Sequence, residues 1–175
     1  KIPENQIEVF KDLIKAGRKV VLILHCGSSV ELDWTEGASA ILYMGLSGQA
    51  GASACINLLT GKANPCGKLA ETWWKKYEDC PTSDSELFPG GEDEVVYREG
   101  LFSGYRAKTK TPPRYEFGYG LSYTKFEYEN LRITENEISF DIKNAGSLAG
   151  KEIAQLYFGK KRAESNARNV NYSRL

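Results

Sequence analysis

The chain has 175 residues, of which 41% are hydrophobic and 26% charged, the proportions of a globular protein with room for one domain or two small ones. Its 23 basic side chains are matched by 23 acidic ones, so it carries no electrostatic footprint for nucleic acid or an anionic membrane surface. Apolar runs such as Val20 to Leu24 are far too short to span a bilayer.

The first predicted element is a helix over residues 4–16. Pro3 suits its first turn, Glu4 and Glu8 suit the positive end of its dipole, and Ile7, Phe10, Leu13 and Ile14 fall on one face. Gly17 ends it. Residues 19–25 form an apolar, β-branched run, the pattern of a parallel strand covered on both faces. A helix feeding such a strand is the repeating unit of an α/β sheet. Loops at the carboxyl ends of parallel strands line the binding crevice, which makes His25, Ser28 and Ser29 the candidate substrate-binding residues. No G-x-S-x-G elbow accompanies these serines, so nucleophilic serine chemistry is not expected. Asp33 reads as a turn residue and Trp34 as packing.

A second strand is predicted at residues 40–44. Ser47 is a candidate N-cap for a helix over 49–60 whose first half, Ala50 to Ala54, is small enough for close backbone approach. The helix start lacks a GxGxxG or P-loop pattern and is not a phosphate site. Asn64-Pro65-Cys66-Gly67 marks a tight turn leading to a short strand, with Lys68 and Glu71 read as solvated surface charges and a bridge between domains as their alternative role. Residues 75–94 read as a long polar loop in which Phe88-Pro89-Gly90 packs on the body of the domain. Tyr97-Arg98-Glu99-Gly100-Leu101-Phe102 follows, with Glu99 a candidate catalytic acid whose more ordinary role is an ion pair with a nearby arginine.

Tyr115 to Tyr128 is the most unusual stretch, with aromatics at 115, 117, 119, 123, 126 and 128 interrupted by Gly118 and Gly120. Glycines inside an aromatic run imply packed turns with close backbone approach, and the run reads as a junction. Beyond it, residues 126–133, 137–144 and 151–158 alternate with period two, the pattern of strands. Residues 159–175 carry no apolar period and read as a polar tail.

These motifs, in this order, resemble family-3 glycoside hydrolases. FGYGLSYTKFEYENL is similar to the hinge of that family; NPCGKLAET, LSGQAG and YREGLFSGYR are similar to three of its other motifs. The resemblance implies an α/β fold: the last part of an α/β sandwich with a parallel-type sheet over 1–114, a hinge over 115–125, and the first strands of an all-β, fibronectin-III-like sandwich over 126–158. It implies that the full enzyme removes terminal β-linked sugars with retention, a β-glucoside or β-xyloside being the carbohydrate partner, and that no cofactor is needed. It also implies that the catalytic Asp and Glu come from segments outside this chain, the Asp from an N-terminal (β/α)8 barrel, so that the chain alone is inactive and contributes no catalytic residue unless Glu99 is one. Ser29 departs from a usual proline, Ala50 from a frequent Glu, and Gly45 stands where many members carry Trp. A non-catalytic carbohydrate-binding or scaffolding module is the alternative. Homo-oligomers fit either.

Cys26, Cys55, Cys66 and Cys80 include no CxxC pair, and the single histidine adjoins only one of them, which argues against a metal site. Free thiols are expected, with one or two disulfides as the alternative for a secreted protein. No signal peptide is visible at Lys1, which favours a cytoplasmic over a secreted location.

Overall fold

The computed structural model describes residues 1–107 and 111–157. Helix α1 (Glu4–Lys15) leads into strand β1 (Val21–Leu24), which pairs in parallel with strand β2 (Ala40–Tyr43) in the register Val21↔Ala40 to Leu24↔Tyr43. Helix α2 (Gly51–Leu59) follows. Phe10 is the buried member of the α1 stripe, and its ring meets that of Trp34 edge-on at 5.4 Å. Trp34 therefore packs, and Asp33 opens a single 3-10 turn ending at Thr35.

The core lies on one side of the β1–β2 pair. Leu24, Leu32 and Trp73 are buried together, with Ile41, Tyr43, Leu69 and Tyr115 packed against them. The expectation of a strand covered on both faces is not met: Leu24 points into the core while Val21 and Ile23 remain 45% and 39% exposed. That second face is only partly covered among the described residues. Ser47 does not cap α2; Ala50 takes the cap position without a side-chain bond, and the Ser47 hydroxyl lies 3.3 Å from His25 Nδ1. The turn sets the Ser47 side chain between the end of β1 and Gly51 at the start of α2, where a Cβ on Gly51 would collide with it, and its hydroxyl turns to His25 instead of a helix amide.

Residues 69–73 run antiparallel to the aromatic stretch. Gly118 N–H donates to Leu69 O at 2.8 Å, Leu69 N–H to Tyr119 O at 2.8 Å, and Trp73 N–H to Tyr115 O at 2.8 Å. Gly118 has φ +81°, and a Cβ there would collide with the Gln155 side chain. At Gly120 a Cβ would collide with the backbone carbonyl of Gly67. Gly120 thus lets the junction lie directly against the 64–69 turn, and Gly118 makes room for Gln155.

Strands β3 (Phe126–Ile133) and β4 (Ile138–Asn144) form an antiparallel hairpin, with Phe126 opposite Asn144 and Ile133 opposite Ile138. The register shifts between Glu129 and Arg132, where Asn130 takes φ +56°, the bulge conformation that asparagine tolerates. Asn130 Nδ2 donates to Asp141 Oδ2 at 2.7 Å across the hairpin. The third strand expected at 151–158 does not form over the described residues 151–157, and Phe158 and the 159–175 tail lie outside them. Alternation alone makes no strand without a neighbour to bond. Residues 149–157 instead attach through side chains to the α/β part.

Candidate functional site

The carboxyl end of β1 delivers His25, Cys26 and the 27–32 loop to one edge of the small sheet. Here the Glu71 carboxylate accepts the Ser29 backbone N–H at 2.8 Å. Glu71 is thus a loop anchor rather than an idle surface charge. Burial, followed by the Glu71 charge, pushes the Cys26 thiol above its ordinary range, and burial, then Cys26 and Glu71, does the same to the Tyr43 phenol. Tyr43 meets the Trp73 ring edge-on at 5.0 Å.

Beside this edge lies a cavity of about 330 Å³ whose walls include Ser29, Glu71, Thr72, Trp74, Glu99 and Tyr105. It is continuous in lining with a second cavity of about 280 Å³, which shares Thr72, Trp74, Tyr105 and Phe117 and gains Glu116 and Tyr157. Tyr105 is the hub: its ring stacks on Phe117 at 5.3 Å and meets Tyr157 edge-on at 5.5 Å. Thr72 Oγ1 is buried with no hydrogen-bond partner among the described residues. Burial raises the Tyr157 phenol, with Tyr105 and Glu116 adding to the shift.

Two of the four sequence candidates, Ser29 and Glu99, meet in the first cavity; His25 and Ser28 do not line it and are exposed. Glu99 forms no ion pair among the described residues, because Arg98 reaches Glu86 instead, at 2.8 Å. The cavity also brings in Glu71, which sequence reasoning passed over as a site residue. Its only signal was its place just before the Thr-Trp-Trp run. Phe88 is 63% exposed and does not pack on the body of the domain. No group of three or more His, Cys, Asp or Glu side chains converges among the described residues, and the four cysteines are unpaired.

The chemistry on offer is that of a cleft whose walls combine the rings of Trp74, Tyr105 and Phe117 with the carboxylates of Glu71 and Glu99 and the hydroxyls of Ser29 and Thr72. Comparison with known proteins sets this cleft in context. The chain is 42% identical over 166 residues to thermostable beta-glucosidase B of Acetivibrio thermocellus, covering 89% of this chain and 22% of that protein. It is 34% identical over 170 residues to beta-glucosidase BoGH3A of Bacteroides ovatus, covering 90% of this chain and 23% of the relative. Beta-glucosidase 3B from Thermotoga neapolitana, solved in complex with glucose, superposes with a TM-score of 0.72 at 36% identity over 81% of this chain and 21% of that one. The Bifidobacterium adolescentis GH3 beta-glucosidase gives a TM-score of 0.75 at 33% identity, over 82% and 22%. The chain therefore spans less than a quarter of the length of these relatives. Residues 1–123 match the glycosyl hydrolase family 3 C-terminal domain, and the chain belongs to that family.

Proposed function

We propose that the chain is the C-terminal portion of a retaining glycoside hydrolase that removes terminal β-linked sugars, with a β-glucoside as its substrate and a β-xyloside as the next candidate. The observation that carries this reading is the match of residues 1–123 to the family's C-terminal domain, at 42% identity to a protein named as a beta-glucosidase. In this reading residues 1–114 complete an α/β sandwich, 115–125 are the hinge, 126–158 begin a fibronectin-III-like domain and 159–175 are a tail. An N-terminal (β/α)8 barrel is the partner. His25, Ser28 and Ser29 stand at the strand edge where loops meet substrate in open α/β sheets.

The catalytic carboxylates come from outside residues 1–175. A specific observation supports a second reading: Glu71 and Glu99 line one cavity, and two carboxyls across a sugar are what retaining hydrolysis requires. Against it, Glu71 is committed to the Ser29 amide.

A chimera decides the matter. The 175 residues replace the corresponding C-terminal segment of the Acetivibrio thermocellus enzyme, and hydrolysis of p-nitrophenyl β-glucoside is measured for the chimera and for the chain alone. Turnover by the chimera and none by the chain is the expected result. A folded but inactive chimera sinks the proposal and leaves a carbohydrate-binding or scaffolding module. Turnover by the chain alone, lost in Glu99→Gln, establishes the second reading.

A further inference from the structure

We infer that Lys68 and Glu152 form a clasp that fastens residues 149–157 to the α/β part and so keeps Tyr157 as a wall of the aromatic cleft. Lys68 leaves the 64–67 turn and its ammonium reaches two acceptors from different regions. It donates to the Gly120 carbonyl at 2.8 Å and pairs with Glu152 Oε1 at 3.3 Å. The same Glu152 oxygen accepts the Tyr128 hydroxyl of β3 at 3.1 Å. The turn, the junction, the hairpin and the 149–157 segment are therefore tied at one ammonium and one carboxylate.

The depth of this pair sets it apart. Its side chains are 16% and 13% exposed, against 55% and 68% for Arg98–Glu86 and 76% and 38% for Lys125–Glu127. Exposed pairs contribute little, whereas removing one member of a sheltered pair leaves its partner uncompensated. Residues 151–157 have no ladder of their own to hold them. What fixes them is side-chain chemistry: the clasp, the Asn64 Nδ2 bond to Ala149 O at 3.0 Å, Gln155 against Gly118, and Tyr157 on Tyr105 at 5.5 Å. The clasp is the charged anchor among these. When it opens, the segment leaves as a unit, Tyr157 goes with it, and the cleft lined by Thr72 and Trp74 opens on that side. This inference does not depend on the hydrolase reading.

Limited proteolysis of the full 175-residue chain tests it, with cut sites mapped by mass spectrometry. In Lys68→Met and Glu152→Gln, trypsin cleavage after Lys151 and chymotrypsin cleavage after Tyr157 are expected to accelerate at least tenfold. Cleavage after Lys11 and Lys15 in α1 is expected to stay at the wild-type rate. Lys68→Arg, which keeps the charge and the donors, is expected to restore protection at Lys151. Wild-type rates at Lys151 and Tyr157 in both variants overturn the clasp. Acceleration in α1 by the same factor also overturns it, since it makes Lys68 a general stability residue rather than a local fastener.

Discussion

Trp73 and Tyr115 exchange backbone hydrogen bonds in both directions, Trp73 N–H to Tyr115 O at 2.8 Å and Tyr115 N–H to Trp73 O at 3.2 Å. The pair welds the start of the junction to the core, because Trp73 is only 2% exposed and packs with Leu24 and Leu32. Trp73→Ala is expected to cost about 3–5 kcal/mol, the range for a buried aromatic reduced to alanine. Urea denaturation followed by far-UV circular dichroism measures it. A loss under about 1 kcal/mol, within surface-substitution territory, contradicts the placement of Trp73 in the core.

Asn64 is a second weld. Its carbonyl oxygen accepts both the Ser122 hydroxyl at 2.9 Å and the Tyr123 N–H at 2.8 Å, while its amide nitrogen donates to Ala149 O. Asn64→Ala is expected to destabilise by about 1–3 kcal/mol through unmade bonds. Asn64→Asp keeps the acceptor and loses the donor, so it should fall between the two in a denaturant series. Equal midpoints for all three proteins would show these bonds to be inconsequential.

Alkaline pH should weaken the fold. Tyr128 and Tyr157 both have phenol pKa values raised above 10.0, chiefly by burial. A raised folded-state pKa means that the unfolded chain releases the proton first. The stabilisation is therefore present below the unfolded value and is lost as pH rises through about 10 and on to the folded value. Denaturation midpoints taken from pH 8 to 11 should drop over the upper part of that span, and less steeply in Tyr128→Phe/Tyr157→Phe. An unchanged slope in the double variant counts against both phenols as the source.

Thiol reactivity should follow burial. Cys55 is 8% exposed, and burial, followed by the Glu71 charge, raises the Cys26 thiol and so lowers its share of reactive thiolate. Timed alkylation at pH 8 with peptide mapping should label Cys66 and Cys80 ahead of Cys26 and Cys55. Glu71→Gln should speed labelling of Cys26 and leave Cys55 alone. First labelling at Cys55 would mean that α2 does not pack as described.

The local elements were legible because their signals are local. The stripe of Ile7, Phe10 and Ile14 marked α1, and the β-branched run marked β1, with ends shifted by a residue or two. The alternation at 126–133 and 137–144 marked the two strands that pair as the hairpin, though not the bulge at Asn130. What the sequence hid was long-range pairing. Lys68 read as a solvated charge or a bridge between domains, but nothing nearby in the chain announces Gly120 or Glu152 as its acceptors. Residues 151–158 read as a strand because alternation reports two-sidedness, not a bonded neighbour. Glu71, Thr72 and Trp74 came to line a cavity only where residues 99–105 and Phe117 of the junction meet them. Family motifs located the region; the tertiary fold assigned the contacts.

The half-covered sheet has a consequence for handling this polypeptide. β1 and β2 bond only to each other among the described residues, so each offers a free row of amides and carbonyls beside the exposed Val21 and Ile23. Such a margin is a template for further strand addition. Dilute preparations should therefore remain dispersed while concentrated ones thicken into higher-order species, with growth seeded at this margin. A lysine at position 23 should raise the concentration at which light scattering first appears.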